Sequence, residues 1–354
     1  LSLIEKHSNK YKNNIYLSID IDLQKKALDE LKQELINYDA NYGFFLFVDL
    51  KKEEILINAY DYNTKNLKKD FDDSLMPIIH LSYEFGSVFK PFTVYSALSY
   101  KLLDLEEKFN VHNPLKFYSG NKIVKDLIKN EEPLLTKDIL KKSSNVGAVL
   151  INRKLDCKNQ FKNTIEELGL LDTASITNEI KTVNIDSPKF SKKGNNCDTM
   201  SYGYSLSVTP IHLINAYARM ITGNKQFKAK IIKDKKYKKL NLNQNSSEIN
   251  KLLFYANESE HKLYKKCLIA GKTGTANDTS VKKQSKNNNN VSYISYFPYH
   301  KPRYLALTFM NNPRNSDGAY LTAGNTVKNS YYSILEKILF SLEVSSCGEN
   351  VNTI

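Results

Sequence analysis

Residues 82–103 read SYEFGSVFKPFTVYSALSYKLL. Gly86 precedes Ser87, Lys90 follows three residues later, and an apolar-rich segment then begins. A helix carries residues i and i+3 on one face. A helix from Ser87 to about Leu103 therefore brings the Ser87 hydroxyl and the Lys90 amine together on the side that faces a core. Pro91 falls in its first turns, where a missing N–H costs least. A serine hydroxyl is a poor nucleophile without a base. An amine serves as that base only when burial or a neighbouring cation lowers its pKa.

Other parts of the chain supply matching groups. Of the Ser-x-x-Lys pairs Ser87–Lys90, Ser119–Lys122 and Ser280–Lys283, only the first opens a long amphipathic segment. Ser-x-Asn starts at Ser119, Ser143 and Ser285. Of these, only Ser143-Ser144-Asn145 sits between two helical patterns, in LLTKDILKKSSNVGAVLINRKL (134–155). Lys-Thr-Gly-Thr occurs once, Lys272 to Thr275, inside KKCLIAGKTGTA (265–276), which reads as a strand. Any one of these is more often structural than catalytic. In this order, each in a fitting element, they point to acyl transfer, with Ser87 as nucleophile and Lys90 as base. Lys272 is a second cation able to depress the pKa of Lys90. At a helix start, Ser87 offers its own N–H to a developing oxyanion. An edge strand carrying KTGT offers another and can take a peptide by strand addition. Gly274, with no side chain, lets a ligand approach that strand closely.

Upstream, NNIYLSIDID (13–22) reads as a short strand. Leu23, Ala27, Leu28, Leu31 and Leu35 then recur at helical spacing, with Asp20 and Asp22 as N-terminal caps. YGFFLFVDL (42–50) and EEILINAYDYN (53–63) read as a hairpin, followed by the polar linker NTKNLKKDFDDS (63–74). Downstream, FKNTIEELGLL (161–171) and TPIHLINAYARMI (209–221) read as helices, the second opened by Thr209-Pro210. From Asn224 to about Lys262 the chain is Lys/Asn-rich and reads as short surface elements and loops. VSYISYFPY (291–299) and RYLALTFMN (303–311) read as strands, and a helix from about Thr326 to Leu342 closes the unit. Strands at both ends of a helical middle predict one α/β unit: a mainly antiparallel sheet flanked by helices, with a mostly helical subdomain.

The whole chain has 354 residues and a net charge of +13, from 51 Lys+Arg against 38 Asp+Glu. That length suits one large or two ordinary domains. The basic residues are spread along the chain, in KDKKYKKLNLNQN (233–245) and VKKQSKNNNN (281–290) alike. That distribution is a solvated surface rather than a nucleic-acid patch. The cysteines (Cys157, Cys197, Cys267, Cys347) and the six His show no metal-ligand spacing. An even cysteine count in a chain this long does not define a disulfide framework or a compartment. No apolar run reaches the roughly 18 residues of a membrane span, and no signal peptide opens the chain. The chain starts at Leu1, and an upstream segment is expected.

Ser87-x-x-Lys90, Ser143-x-Asn145 and Lys272-Thr273-Gly274 together resemble the motif set of the penicillin-binding proteins and serine β-lactamases. The segments IYLSIDIDLQKKALDEL, YEFGSVFKPFTV, SSNVGAV, YGYSLSVTPIHLINAYARM and AGKTGTA extend the likeness. The chain is similar, from about Ile15 to Leu339, to the transpeptidase domain of class B penicillin-binding proteins, and most of all to their cell-division members. The resemblance implies the penicillin-binding-protein/serine β-lactamase-like fold over residues 15–343. Residues 1–14 would link it to an N-terminal pedestal and membrane anchor, and 344–354 would form a C-terminal tail. It implies a peptidoglycan D,D-transpeptidase that needs no cofactor or metal and works at the periplasmic face of the bacterial inner membrane. Its substrates would be stem peptides, a D-Ala-D-Ala donor and an amine acceptor, and β-lactams would bind it covalently. A membrane glycosyltransferase and division proteins would be its partners, with no nucleic acid. Ser87 would form the acyl-enzyme and Lys90 would take its proton. Ser143 would relay protons to the leaving amine, Asn145 would hold the substrate amide, and Lys272 would set the electrostatics. Thr273 and Thr275 would contact the carboxylate beside Gly274, and the N–H groups of Ser87 and Thr275 would form the oxyanion hole.

The chain departs from that family in places. Relatives carry GYG or GHG where this chain has YGYS (202–205), and the loop after Thr275 is Asn/Lys-rich. DGAYLTAGNTVKNSYYSIL (317–335) stands where relatives often have Gly-Gly-x-x-Ala-x-Pro. The alternatives are the elongation-specific class B enzyme, a carboxypeptidase outcome, a serine β-lactamase, and a non-enzymatic β-lactam sensor or scaffold. The chain lacks the Glu-x-x-Leu-Asn of class A β-lactamases, and its middle motif is not the Ser-x-Val of class D. Sensor domains lack the class B flanking segments, and a scaffold would have lost a motif residue.

Overall fold

The computed structural model describes residues 14–65, 76–117, 123–177, 181–185, 188–191, 196–233, 242–277, 288–342 and Cys347. The apolar run of residues 42–49 forms a strand buried on both faces: Phe44, Leu46 and Val48 are as covered as Phe45 and Phe47. Such a strand must lie inside a sheet with a layer on each side. It is β1 (Tyr42–Asp49), joined by a hairpin to β2 (Glu54–Tyr62). With β3 (Ala270–Asn277), β4 (Asn289–Phe297) and β5 (Tyr304–Asn311) it builds a five-stranded sheet in the order β2-β1-β5-β4-β3. Every pairing is antiparallel. The two ends of the sequence thus meet at mid-sheet, where Phe44 lies opposite Phe309 with ring centroids 4.7 Å apart. Each such ring stabilises the fold by about 1.5–3 kcal/mol through burial.

The helices of six residues or more are α1 (Ile21–Asn37), α2 (Lys90–Ser99), α3 (Thr136–Lys141), α4 (Asn145–Arg153), α5 (Lys162–Glu167), α6 (Pro210–Thr222), α7 (Gln244–Ala256), α8 (Lys262–Cys267) and α9 (Val327–Leu339). α1, α8 and α9 cover one face of the sheet around Phe45, Phe47, Tyr293 and Phe297. The other helices build a body on the opposite face around Phe44, Leu46, Ile294 and Phe309. α1 starts where the Asp20 carboxylate accepts from the N–H groups of Asp22 and Leu23, and it buries Leu23, Ala27, Leu31 and Leu35. α6 starts with Pro210, ends at Gly223 (φ 72°), and every residue in it is buried. It is the axis of the helical body: the Tyr217 hydroxyl donates to the Val88 carbonyl at 2.5 Å, directly beneath residues 86–89.

Several local expectations change. NNIYLSIDID forms one bridge, Leu17 to Ile232, rather than a strand, and the Ser18 hydroxyl donates to the Ile55 carbonyl instead. The helix expected from Ser87 begins as a 3-10 turn over Gly86–Phe89 and becomes α-helical only at Lys90, ending at Ser99. Lys265, Lys266 and Cys267 belong to α8, which His261 caps and Leu268 (φ 52°) ends before β3 starts. The Lys/Asn-rich region holds α7, a 13-residue helix capped by Asn243 that buries Ile249, Leu252 and Leu253. The closing helix spans Val327–Leu339, inside its expected bounds. The cysteines pair as Cys157–Cys197 and Cys267–Cys347, the second fastening the segment beyond α9 to the end of α8. Most of the linker (66–74) and the pairs Ser119–Lys122 and Ser280–Lys283 lie outside the described residues. No helix among the described residues is long and apolar enough to cross a membrane.

Candidate active site

Ser87 sits in the 3-10 turn that precedes α2, and Lys90 is the first α-helical residue. The three-residue spacing works as it would in an α-helix: Lys90 Nζ lies 2.7 Å from Ser87 Oγ. Lys90 has no solvent exposure. Burial, and then the neighbouring Lys272 cation, push its pKa well below the usual lysine value, while Asp126 opposes them. Its Nζ also reaches the Ser143 carbonyl at 2.6 Å and Ser143 Oγ at 3.2 Å. A neutral amine there spends its two N–H groups on Ser143 and turns its lone pair toward the Ser87 hydroxyl. That is the geometry of proton transfer from serine to amine.

Ser143 stands in the corner between α3 and α4 with φ of 55°. This left-handed conformation turns its side chain between two lysines, because Lys272 Nζ donates to Ser143 Oγ at 3.0 Å. Both lone pairs of that hydroxyl accept from lysine N–H groups, so its proton is directed away from them. Lys272 also donates to the Thr273 carbonyl at 3.1 Å. Burial, reinforced by Lys328, brings the pKa of Lys272 down to about 7. Lys328, in the first turn of α9, donates to the Asn257 carbonyl at 3.2 Å and lies 6.0 Å from the Tyr293 ring. Its own pKa falls to about 8 through burial.

β3 forms the far wall and, among the described residues, is an edge strand paired with β4 alone. Lys272, Gly274 and Ala276 point inward, and Thr273 and Thr275 are half-exposed on the alternate side. The space beside Gly274 is not open for a ligand, as its lack of a side chain suggested. A Cβ there would lie 2.4 Å from the Phe85 carbonyl oxygen and 2.6 Å from Val88 Cγ2. The turn bearing Ser87 itself fills that space. The same closeness appears from the other side: a Cβ on Gly86 would lie 2.6 Å from the Thr275 carbonyl. The backbones next to Ser87 and Thr275 are therefore in direct contact. Thr275 Oγ1 accepts from the Ala323 N–H at 3.3 Å. The YGYS segment closes the turn from behind: Gly86 N–H donates to the Gly203 carbonyl at 3.2 Å, and the Glu84 carboxylate accepts from Ser205 N–H at 2.6 Å.

The structure thus brings Ser87, Lys90, Ser143 and Lys272 into one hydrogen-bonded group, with Thr273, Gly274 and Thr275 on the adjoining strand. Asn145 begins α4 two residues from Ser143, and its Nδ2 donates to the Lys125 carbonyl at 3.2 Å, leaving Oδ1 to accept. Sequence reading missed Asp126 and Lys328. Asp126 belongs to no motif. Lys328 falls in the segment that departs from Gly-Gly-x-x-Ala-x-Pro, and that departure was the only signal of it. No cluster of His, Cys, Asp or Glu able to hold a metal occurs among the described residues.

Comparison with known proteins follows the same lines. The penicillin binding protein transpeptidase domain family matches residues 43–332. A peptidoglycan D,D-transpeptidase FtsI of Buchnera aphidicola (subsp. Baizongia pistaciae) is 26% identical over 368 residues, covering 95% of this chain and 61% of that protein. The Escherichia coli K12 protein of the same name is 29% identical over 218 residues, covering 58% of this chain and 35% of its own length. The chain thus spans about three fifths of the Buchnera relative. Among solved structures, the transpeptidase domain of Burkholderia pseudomallei penicillin-binding protein 3 superposes with a TM-score of 0.77 at 20% identity, covering 93% of this chain and 97% of that one. A likeness at that identity speaks to the fold.

Proposed function

The chain belongs to the penicillin-binding protein transpeptidase family, and from that premise we propose that it crosslinks peptidoglycan stem peptides through an acyl-enzyme on Ser87. The observation that carries this reading is the buried Lys90 amine, 2.7 Å from Ser87 Oγ and with its pKa lowered. Ser87 Oγ attacks the carbonyl between the two terminal D-Ala residues of the donor, and its proton passes to Lys90 Nζ. The carbon–nitrogen bond breaks as Ser143, touching both lysines, delivers a proton to the departing D-Ala amine. An amine of a neighbouring stem then attacks the ester and loses a proton to the same group, while Lys90 returns its proton to the departing Ser87 Oγ. Asn145 holds the donor amide, and Thr273 and Thr275 hold the terminal carboxylate along β3. The N–H groups of Ser87 and Thr275 stabilise the oxyanion, which their adjacent backbones support.

β-Lactams acylate the same serine. Relatives named peptidoglycan D,D-transpeptidase FtsI support the crosslinking reaction. In this reading the resemblance to cell-division members supports a role in septal wall synthesis, with division proteins and a membrane glycosyltransferase as partners. Residues 15–343 form the transpeptidase unit in this reading. The paired cysteines support an oxidising compartment, in keeping with the periplasmic face of the inner membrane. Incubation with a penicillin, intact-mass analysis and peptide mapping test the chemistry. One adduct on Ser87 is expected; an adduct elsewhere, or none with a range of β-lactams, refutes it.

A further inference from the structure

The two adjacent serines of SSNVGAV have different surroundings, and the difference originates in one carboxylate. Ser144 Oγ donates to Asp126 Oδ2 at 2.6 Å and accepts from Gly147 N–H at 2.8 Å, so it is fully used in capping α4. Asp126 Oδ1 accepts from the N–H of Asn145 at 2.6 Å and of Val146 at 3.0 Å. Its Oδ2 also takes Asn130 Nδ2 at 3.1 Å. Both carboxylate oxygens are thus doubly occupied. The residue before it, Lys125, receives Asn145 Nδ2 on its carbonyl. Residues 125–126 therefore grip Asn145 by both main chain and side chain, next to Ser143 with its φ of 55°. A non-glycine residue in that conformation persists only where neighbours over-determine it.

We propose that Asp126 is a positioning residue for the reaction: it fixes the corner that presents Ser143 to Lys90 and Lys272 and Asn145 to the substrate. The proposal rests on the acyl-transfer reading of this site. Asp126 touches no reacting atom; it acts through Ser144, Asn145 and Val146. Its negative charge suits the positive end of α4, and it has a cost. Among the groups facing Lys90 are the Lys272 cation from β3, itself faced by Lys328 from α9, and the Asp126 carboxylate. The lysine favours the neutral amine, and the carboxylate favours the protonated one. Asp126 therefore buys geometry at the expense of some basic amine at low pH.

Two substitutions separate these effects. Asp126→Ala removes the acceptor for three donors on 144–146. Asp126→Asn keeps an oxygen for the two N–H groups and removes the charge. The measurement is the second-order rate of labelling by a fluorescent penicillin across pH, beside thermal denaturation of each variant. Asp126→Ala is expected to slow labelling on the order of 10²-fold, the scale of a misplaced catalytic group. Asp126→Asn is expected to recover most of that loss and to move the acid limb of the pH profile to lower pH. A cap that served stability alone would leave that limb in place. Wild-type labelling by folded Asp126→Ala overturns the proposal. So does an Asp126→Asn profile whose acid limb stays where the wild type has it. Absence of labelling in the wild type would instead reject the acyl-transfer reading, so the two failures are distinguishable.

Discussion

Lys90 has no solvent exposure and three oxygen contacts within 3.2 Å, two of them from Ser143. A charged amine in that place is costly, so burial lowers its pKa and favours the neutral, basic form. Lys90→Ala is expected to lower penicillin labelling by about 10²–10⁴-fold, the usual worth of a general base. Circular dichroism should show the fold intact, because Ala is a strong helix former. Labelling at a near wild-type rate would remove the proton-transfer role. Lys328 permits a second test at this scale. Its cation lowers the pKa of Lys272, which titrates at about 7. Removing a nearby cation makes protonation easier, so Lys328→Met is expected to raise the Lys272 pKa. Nuclear magnetic resonance of carbon-labelled lysine side chains reads this directly. An unchanged or lower value would mean that burial alone sets Lys272. Of these residues, the motif lysines and Ser87 were legible in the sequence because their partners lie at a local spacing or in a recognisable triplet. Lys328 was not, because it acts across the sheet edge from another helix.

At the scale of elements, the nucleophile turn is gripped between β3 and the YGYS segment. Gly203 has φ of 97°, and a Cβ there would lie 1.8 Å from the Gly86 carbonyl oxygen. Gly203→Ala combines backbone strain of about 1–3 kcal/mol with a backbone clash that no rotamer relieves. It is expected to lower the denaturation midpoint and to slow Ser87 labelling together. Gly318 is the control, with φ of 75° and no atom within 4 Å of its would-be Cβ. Gly318→Ala should incur strain alone and leave labelling unchanged. If both variants label alike, the turn is not held by Gly203. Of the GYG pattern this chain keeps the first glycine as Gly203 and carries Ser205, with φ of 64°, at the second position. α7 carries the opposite lesson. Its Ile249, Leu252 and Leu253 had helical spacing, and Asn243 was available as a cap, yet the surrounding Lys and Asn made the region read as loop. The buried Asn250 obscured the pattern further: it is satisfied by donating to the Ile221 carbonyl and accepting from the Tyr296 hydroxyl, neither of which is near in sequence.

Over the whole molecule, two disulfides tie segments 40 and 80 residues apart, Cys157 to Cys197 within the helical body and Cys267 to Cys347 behind the sheet. Cross-links of such length typically contribute about 2–4 kcal/mol each by restricting the unfolded chain. Reduction is expected to lower the denaturant midpoint accordingly. Ser87 labelling at low denaturant should persist, since neither bond includes a site residue. Loss of labelling on mild reduction, without unfolding, would place one of the bonds in the working of the site. The sequence by itself determined the layered α/β plan, the hairpin at one end and the strand pair at the other, and the three motif groups with their order. Those features are written in contacts between residues two, three or four apart, which periodicity and short spacings record. The tertiary structure alone showed what occupies Ser144, the neighbour of the motif residue Ser143: its hydroxyl donates to Asp126, 18 residues away. It alone decided that the bareness of Gly274 serves the Ser87 turn. Each of these depends on a pair of groups that becomes adjacent only when the sheet and the helical body close on one another. No local spacing carries that information.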